Sequence, residues 1–112
     1  MAISRERLDK IIRGFVSRLA SGIPVEDVIL FGSYAHGNPK EHSDIDLAII
    51  SDWFCGKPRI ESMQYLSRAA ASYDTLIKAI PFSAKEYKEL DKRTFLASIV
   101  KTGQRYLLDE NK

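Results

Sequence analysis

The apolar run Val28-Ile29-Leu30-Phe31 stops at Gly32-Ser33, and after a short polar stretch a second run follows: Ser43-Asp44-Ile45-Asp46-Leu47-Ala48-Ile49-Ile50. Short apolar runs bounded by turn residues read as strands buried on both faces. A brief connection makes the two strands neighbours and antiparallel, since a parallel pair needs a long crossover. Side chains alternate along a strand, so Asp44 and Asp46 leave the same face, about 7 Å apart at the backbone. A glycine-serine turn after a strand offers backbone N–H groups to phosphate oxygens. A phosphate cradle beside paired carboxylates is what metal-dependent chemistry on a nucleotide requires.

The remaining pattern supplies elements to cover such a pair. Leu8, Ile11, Ile12, Phe15, Val16 and Leu19 recur at helical spacing, with Ser4 as N-cap and Gly22 and Pro24 as the stop, which predicts a helix over 4–20. Residues 34–37 read as a turn or short helix entering a polar loop at 38–42, and 51–59, with Gly56 and Pro58, as the least regular segment. A second helix is expected over 59–72, with Ile60, Met63, Leu66 and Ala70 on its apolar side. Leu76, Ile77, Ala79 and Ile80 predict a third strand stopped by Pro81. Ser83 and Glu86 have capping-box spacing, for a short helix through about Asp91. Phe95, Leu96, Ile99 and Val100 mark a further helix ending at Gly103, and Gln104 to Leu108 a last edge strand. The order α-β-β-α-β-α-α-β predicts a single α/β (α+β) domain over 1–112, a small mixed sheet covered by helices.

Composition narrows the classes. With 112 residues, 45% hydrophobic and 29% charged, the chain is long enough for one core and not for two, and lacks the signature of disorder. A net charge of +2 argues against a dedicated nucleic-acid binder. Arg5, Arg7, Lys10, Arg13 and Arg18 alternate with Glu6 and Asp9 as a solvated helix face, and the tyrosines are scattered without a stacking platform. Cys55 is the only cysteine, which rules out an intrachain disulfide and fits a reducing compartment. It has no base beside it in sequence and reads as a packing or incidental cysteine. No apolar run approaches a membrane span, and the N-terminus lacks the apolar core of a signal peptide, so a cytoplasmic protein without membrane association is expected. Homo-oligomer formation stays open.

Each part of the opening pattern is weak alone, since Gly-Ser is a common turn and Asp-x-Asp a common solvated strand face. Together they are specific: two like charges on an apolar strand are unfavourable without a partner, and Mg²⁺ supplies one through oxygen ligands while keeping waters and phosphate oxygens. Gly32-Ser33, ten residues and Asp44-Ile45-Asp46 resemble the Gly-Ser-x10-Asp-x-Asp signature of the minimal nucleotidyltransferases, small relatives of the DNA polymerase β-like nucleotidyltransferase superfamily. The leading helix, Leu30-Phe31-Gly32-Ser33, and Pro81-Phe82-Ser83-Ala84-Lys85-Glu86-Tyr87 match the same layout.

The resemblance implies an Mg²⁺-dependent enzyme that transfers a nucleoside monophosphate, AMP from ATP, to an acceptor hydroxyl on a protein and releases pyrophosphate. It further implies an antitoxin paired with a HEPN-domain partner. At matching positions Gly32 and Ser33 would hold the phosphates, while Asp44 and Asp46 would ligate the metal and draw the α-phosphate into line. Two departures stand out. Tyr34 and His36 follow Gly-Ser where relatives often carry arginine or lysine. Lys78 occupies the position of the superfamily's third carboxylate, and Asp74 shares its strand parity but lies about 13 Å along the strand. Lys78 either pairs with the aspartates and competes with the cation or turns its head to solvent. The alternative function is therefore a catalytically weakened module of the same fold that neutralises a HEPN partner by contact.

Overall fold

With no polar side chain between Val28 and Phe31, the first run has no face to give to solvent, and it forms an interior strand. The computed structural model describes residues 3–37, 43–89 and 94–106. Strand β1 (Asp27–Phe31) pairs antiparallel with β2 (Ile45–Ile50), and β2 pairs parallel with β3 (Ile77–Phe82). The edge strand β4 (Gln104–Arg105) lies antiparallel on the other side of β1, so the mixed sheet runs β3-β2-β1-β4. Helix α1 (Arg5–Ala20) begins at Ser4, whose hydroxyl accepts the Arg7 N–H at 3.2 Å. A single helical turn, α2 (Ser33–His36), follows β1, and α3 (Arg59–Tyr73) makes the crossover between the parallel strands. Two shorter helices, α4 (Ala84–Lys88) and α5 (Phe95–Thr102), follow β3. The Ser83–Glu86 capping box forms as the sequence predicts.

Strand parity divides the core into two layers. Val28, Leu30, Ile45, Leu47, Ile49 and Ile77 face α1 and α3 and pack with Leu8, Ile12, Phe15 and Leu66. Ile29, Ala48, Ile50 and Phe82 face the other way and pack with Leu96 and Ile99 of α5. Helix α5 has eight residues, a length of about 12 Å. It roofs only part of that face, and Asp44 and Asp46 belong to the uncovered part. Gly103 ends α5 against β1, where a Cβ would collide with Ile29 and the Leu30 carbonyl.

Three expectations need correction. In α3, Leu66 and Ala70 are buried as expected, but Ile60 is 63% exposed and Met63 41%, while Ser62 turns inward. At the pitch of a helix Ile60 lies about a third of a turn from Leu66, so one face cannot hold both. Strand β3 does not stop at Pro81; it runs through it to Phe82, because an edge strand tolerates the missing N–H. Phe95 is not a core residue of α5 but is 59% exposed. Helix α4 ends at Lys88, and the expected extension to Asp91 lies outside the described residues, as do residues 38–42 and the end of the last strand beyond 106. No described helix is long and apolar enough to cross a membrane.

Polar ties hold β4 in place. Asp27, only 2% exposed, accepts Val28 N–H at 2.9 Å, the Tyr87 hydroxyl at 3.1 Å and Arg105 Nε at 2.8 Å. Next along the chain, the Tyr106 hydroxyl donates to Asp9 on α1 and accepts from Arg5 at 3.1 Å. Burial, then the bond to Asp9, pushes the Tyr106 phenol from 10.0 up to about 12. Because the fold favours the neutral phenol, this stabilisation is complete below about pH 10 and is lost as pH rises through about 12. Urea unfolding of wild type and Tyr106→Phe should show wild type losing more stability than the variant between about pH 9 and about pH 11. Asp27→Ala, which removes the acceptor shared by Tyr87 and Arg105, is expected to cost about 2 kcal/mol at neutral pH in the same assay.

Candidate active site

Strand β1 ends in a backbone conformation that few residues adopt. Gly32 has φ 77° and ψ −153°, outside the range comfortable for a side chain. Its carbonyl accepts the N–H groups of Ala35 and His36, each at 3.1 Å, which closes the α2 turn. The first N–H groups of the turn, those of Ser33 and Tyr34, have no intrahelical acceptor. Tyr34 is buried against the core, whereas His36 is exposed.

A second requirement for glycine comes from β2. Phe31 is the cross-strand partner of Asp46, so the Asp46 carboxylate lies directly beside Gly32. A Cβ at Gly32 would overlap Asp46 Oδ2 and sit 3.2 Å from Asp46 Cγ. The Gly-Ser turn and the second aspartate therefore form one contact, although the residues between them include 38–42. Asp44 is exposed just before β2, and Asp46 is half-buried.

The electrostatics decide what this arrangement favours. Burial, then repulsion from Asp44, raises the Asp46 pKa above its ordinary value, and Lys78 acts against them with a smaller effect. Lys78 is the parallel partner of Asp46 across β2 and β3, and partners in register share a face. It is exposed, and none of the described ion pairs includes it. The ammonium thus stands in the row of the carboxylates and softens their repulsion without cancelling it. Two converging carboxylates with residual negative charge suit a hard divalent cation that takes its other ligands from water and phosphate.

Asp74 is not brought to this site. It caps the C-terminus of α3, and its carboxylate accepts the Leu76 N–H at 2.9 Å, shaping the turn into β3. Among the described residues no group of three acidic, histidine or cysteine side chains converges. Any third metal-binding carboxylate would have to come from elsewhere. Phe31 is a neighbour that the sequence reading passed over. Its place beside Asp46 depends on the hairpin register, which spacing across a loop does not specify.

The profile of the nucleotidyltransferase domain family matches residues 9–103. Two proteins of Methanocaldococcus jannaschii named as candidate protein adenylyltransferases are similar. MJ0141 is 34% identical over 80 residues, covering 70% of this chain and 76% of that protein. MJ0604 is 46% identical over 46 residues, 39% of this chain and 46% of that protein. A crystal structure of a candidate nucleotidyltransferase from Sulfolobus solfataricus superposes with a TM-score of 0.61 at 26% identity, covering 74% of this chain and 73% of that one.

The Gly32–Asp46 contact predicts the outcome of one substitution. Gly32→Ala puts a side chain at positive φ and into the Asp46 carboxylate, and should lower stability by about 2 kcal/mol in urea unfolding. Calorimetric titration should show weaker Mg²⁺ binding in the same variant.

Proposed function

The chain belongs to the nucleotidyltransferase domain family, and from that premise we propose that it moves AMP from ATP to a protein hydroxyl with Mg²⁺, as the antitoxin of a HEPN-domain partner. The observation that carries the transfer is the seating of the Asp46 carboxylate on Gly32, with Asp44 on the same face. Phosphate-binding backbone and metal-binding oxygens thereby meet at one point. A protein acceptor and AMP are supported by the name of the MJ0141 relative. The HEPN partner rests on the resemblance of the Gly-Ser and Asp-x-Asp signature.

In this reading Gly32 lets the terminal phosphates approach the backbone, where the Ser33 hydroxyl and the first N–H groups of the turn hold them. Asp44 and Asp46 would hold Mg²⁺, which would offset the charge that builds on the phosphate and pyrophosphate oxygens. The acceptor oxygen attacks the α-phosphorus, the bond from that phosphorus to the β-phosphate bridging oxygen breaks, and pyrophosphate leaves. The hydroxyl proton passes to solvent as the new bond forms. The protein's part is positioning and charge complementarity.

Lys78 favours a second reading. An ammonium in register with Asp46 lowers the pull of the site on a cation, as expected of a nucleotidyltransferase fold that keeps partner binding and has weakened turnover.

One experiment separates the two. The protein is incubated with Mg²⁺, α-labelled nucleoside triphosphates and a candidate HEPN protein. Label on the partner that is lost in Asp44→Asn and Asp46→Asn is the result expected of the enzyme. Tight partner binding with no label from any nucleotide overturns it in favour of the contact antitoxin. Lys78→Asp should bind Mg²⁺ more tightly by calorimetry; an unchanged affinity means that Lys78 exerts no hold on the metal site.

A further inference from the structure

Between α4, α5 and the end of β3 lies a cavity of about 470 Å³, on the face of the sheet that α5 covers. Its apolar walls are Phe82, Phe95 and Leu96, and Arg59, Lys85 and Glu86 stand among its polar lining. Apolar walls with a few converging polar groups are the usual make-up of a small-molecule site. Phe95 is its unusual member. Helix α5 buries Leu96 and Ile99 but leaves the neighbouring Phe95 59% exposed. The exposed ring is not free to wander, because it meets Phe31 edge-on, with centroids 5.7 Å apart and planes at 86°. Phe31 is the cross-strand partner of Asp46. Phe95 thus links the cavity, which reaches Phe82 at the far end of β3, to Phe31 beside Asp46.

We propose that this cavity is the nucleoside subsite: the base of a nucleoside triphosphate stacks on Phe95 while its phosphates reach the Gly32-Ser33 turn and the Asp44–Asp46 pair. The inference rests on the nucleotidyl-transfer reading of that pair. Every base has a π-face, so Phe95 supplies affinity without choosing among bases, and purines with their larger rings gain most. Choice falls to the polar lining, where Arg59 and Glu86, 4.0 Å apart as an ion pair, offer a donor and an acceptor to a base edge. Phe31 acts as a positioning residue, holding the Phe95 ring at a fixed tilt.

Calorimetry in Mg²⁺ compares ATP with inorganic tripolyphosphate on wild type, Phe95→Ala and Phe95→Trp. Wild type should bind ATP more tightly than tripolyphosphate. Phe95→Ala should weaken ATP roughly tenfold or more while leaving tripolyphosphate unchanged, and Phe95→Trp should restore the preference. Equal affinity of wild type for the two ligands, or an unaltered ATP affinity in Phe95→Ala, overturns the subsite and leaves the phosphate and metal site standing. A wild type that binds neither ligand overturns the nucleotidyl-transfer reading with it.

Discussion

Asp46 stands where the regular packing of the sheet gives out. Behind it, Ala48 and Ile50 continue the same face into the layer under α5, and ahead of it Asp44 is in solvent. Its carboxylate is held at this boundary by lying against Gly32, which only a residue without a Cβ permits. That approach follows from the pairing of Phe31 with Asp46, and it lies at the start of the α2 turn. A boundary position also matters chemically. A carboxylate in full solvent would bind a cation weakly, and one wholly buried would protonate instead of ligating.

The charge row across the sheet has an internal order. Burial and Asp44 raise the cost of ionising Asp46, and Lys78 recovers only part of it. Among the described residues, Lys78 offsets only part of the charge that Asp44 and Asp46 bring together. This separates Lys78 from Arg105, which pairs with a buried carboxylate. The Arg105 guanidinium closes on the carboxylate of the 2% exposed Asp27 and joins two strands. The Arg105 pair fastens the fold, whereas Lys78 makes no ion pair among the described residues.

Much of this was legible in the chain. Periodicity placed α1, β1, β2 and the capping box, because each has a strong local cause: an apolar stripe, an uninterrupted run, or paired caps. The parity that puts Asp44 and Asp46 together needs only the geometry of one strand. Elsewhere the cause was not local. Ile60 and Met63 look like core residues until the rotation of α3 is known, and packing against the sheet sets that rotation. Pro81 reads as a stop unless β3 is known to be an edge strand. The pairing of Phe31 with Asp46 likewise depends on register across a loop. Phe95 carries no mark in sequence that distinguishes it from Leu96, and only the packing of α5 on the sheet separates them.

The proline in β3 has a consequence for the molecule's dealings with its own copies. An edge strand presents unpaired donors and acceptors to any extended chain that passes, and two such edges tend to join into a continuous sheet. At β3 the row of donors is broken at Pro81, while Lys78 sets a positive charge near the opposite end of the same short strand. Two copies approaching edge to edge would meet a gap in the hydrogen-bond ladder and bring like charges together. The residue that moderates the site thereby also helps keep the sheet from growing.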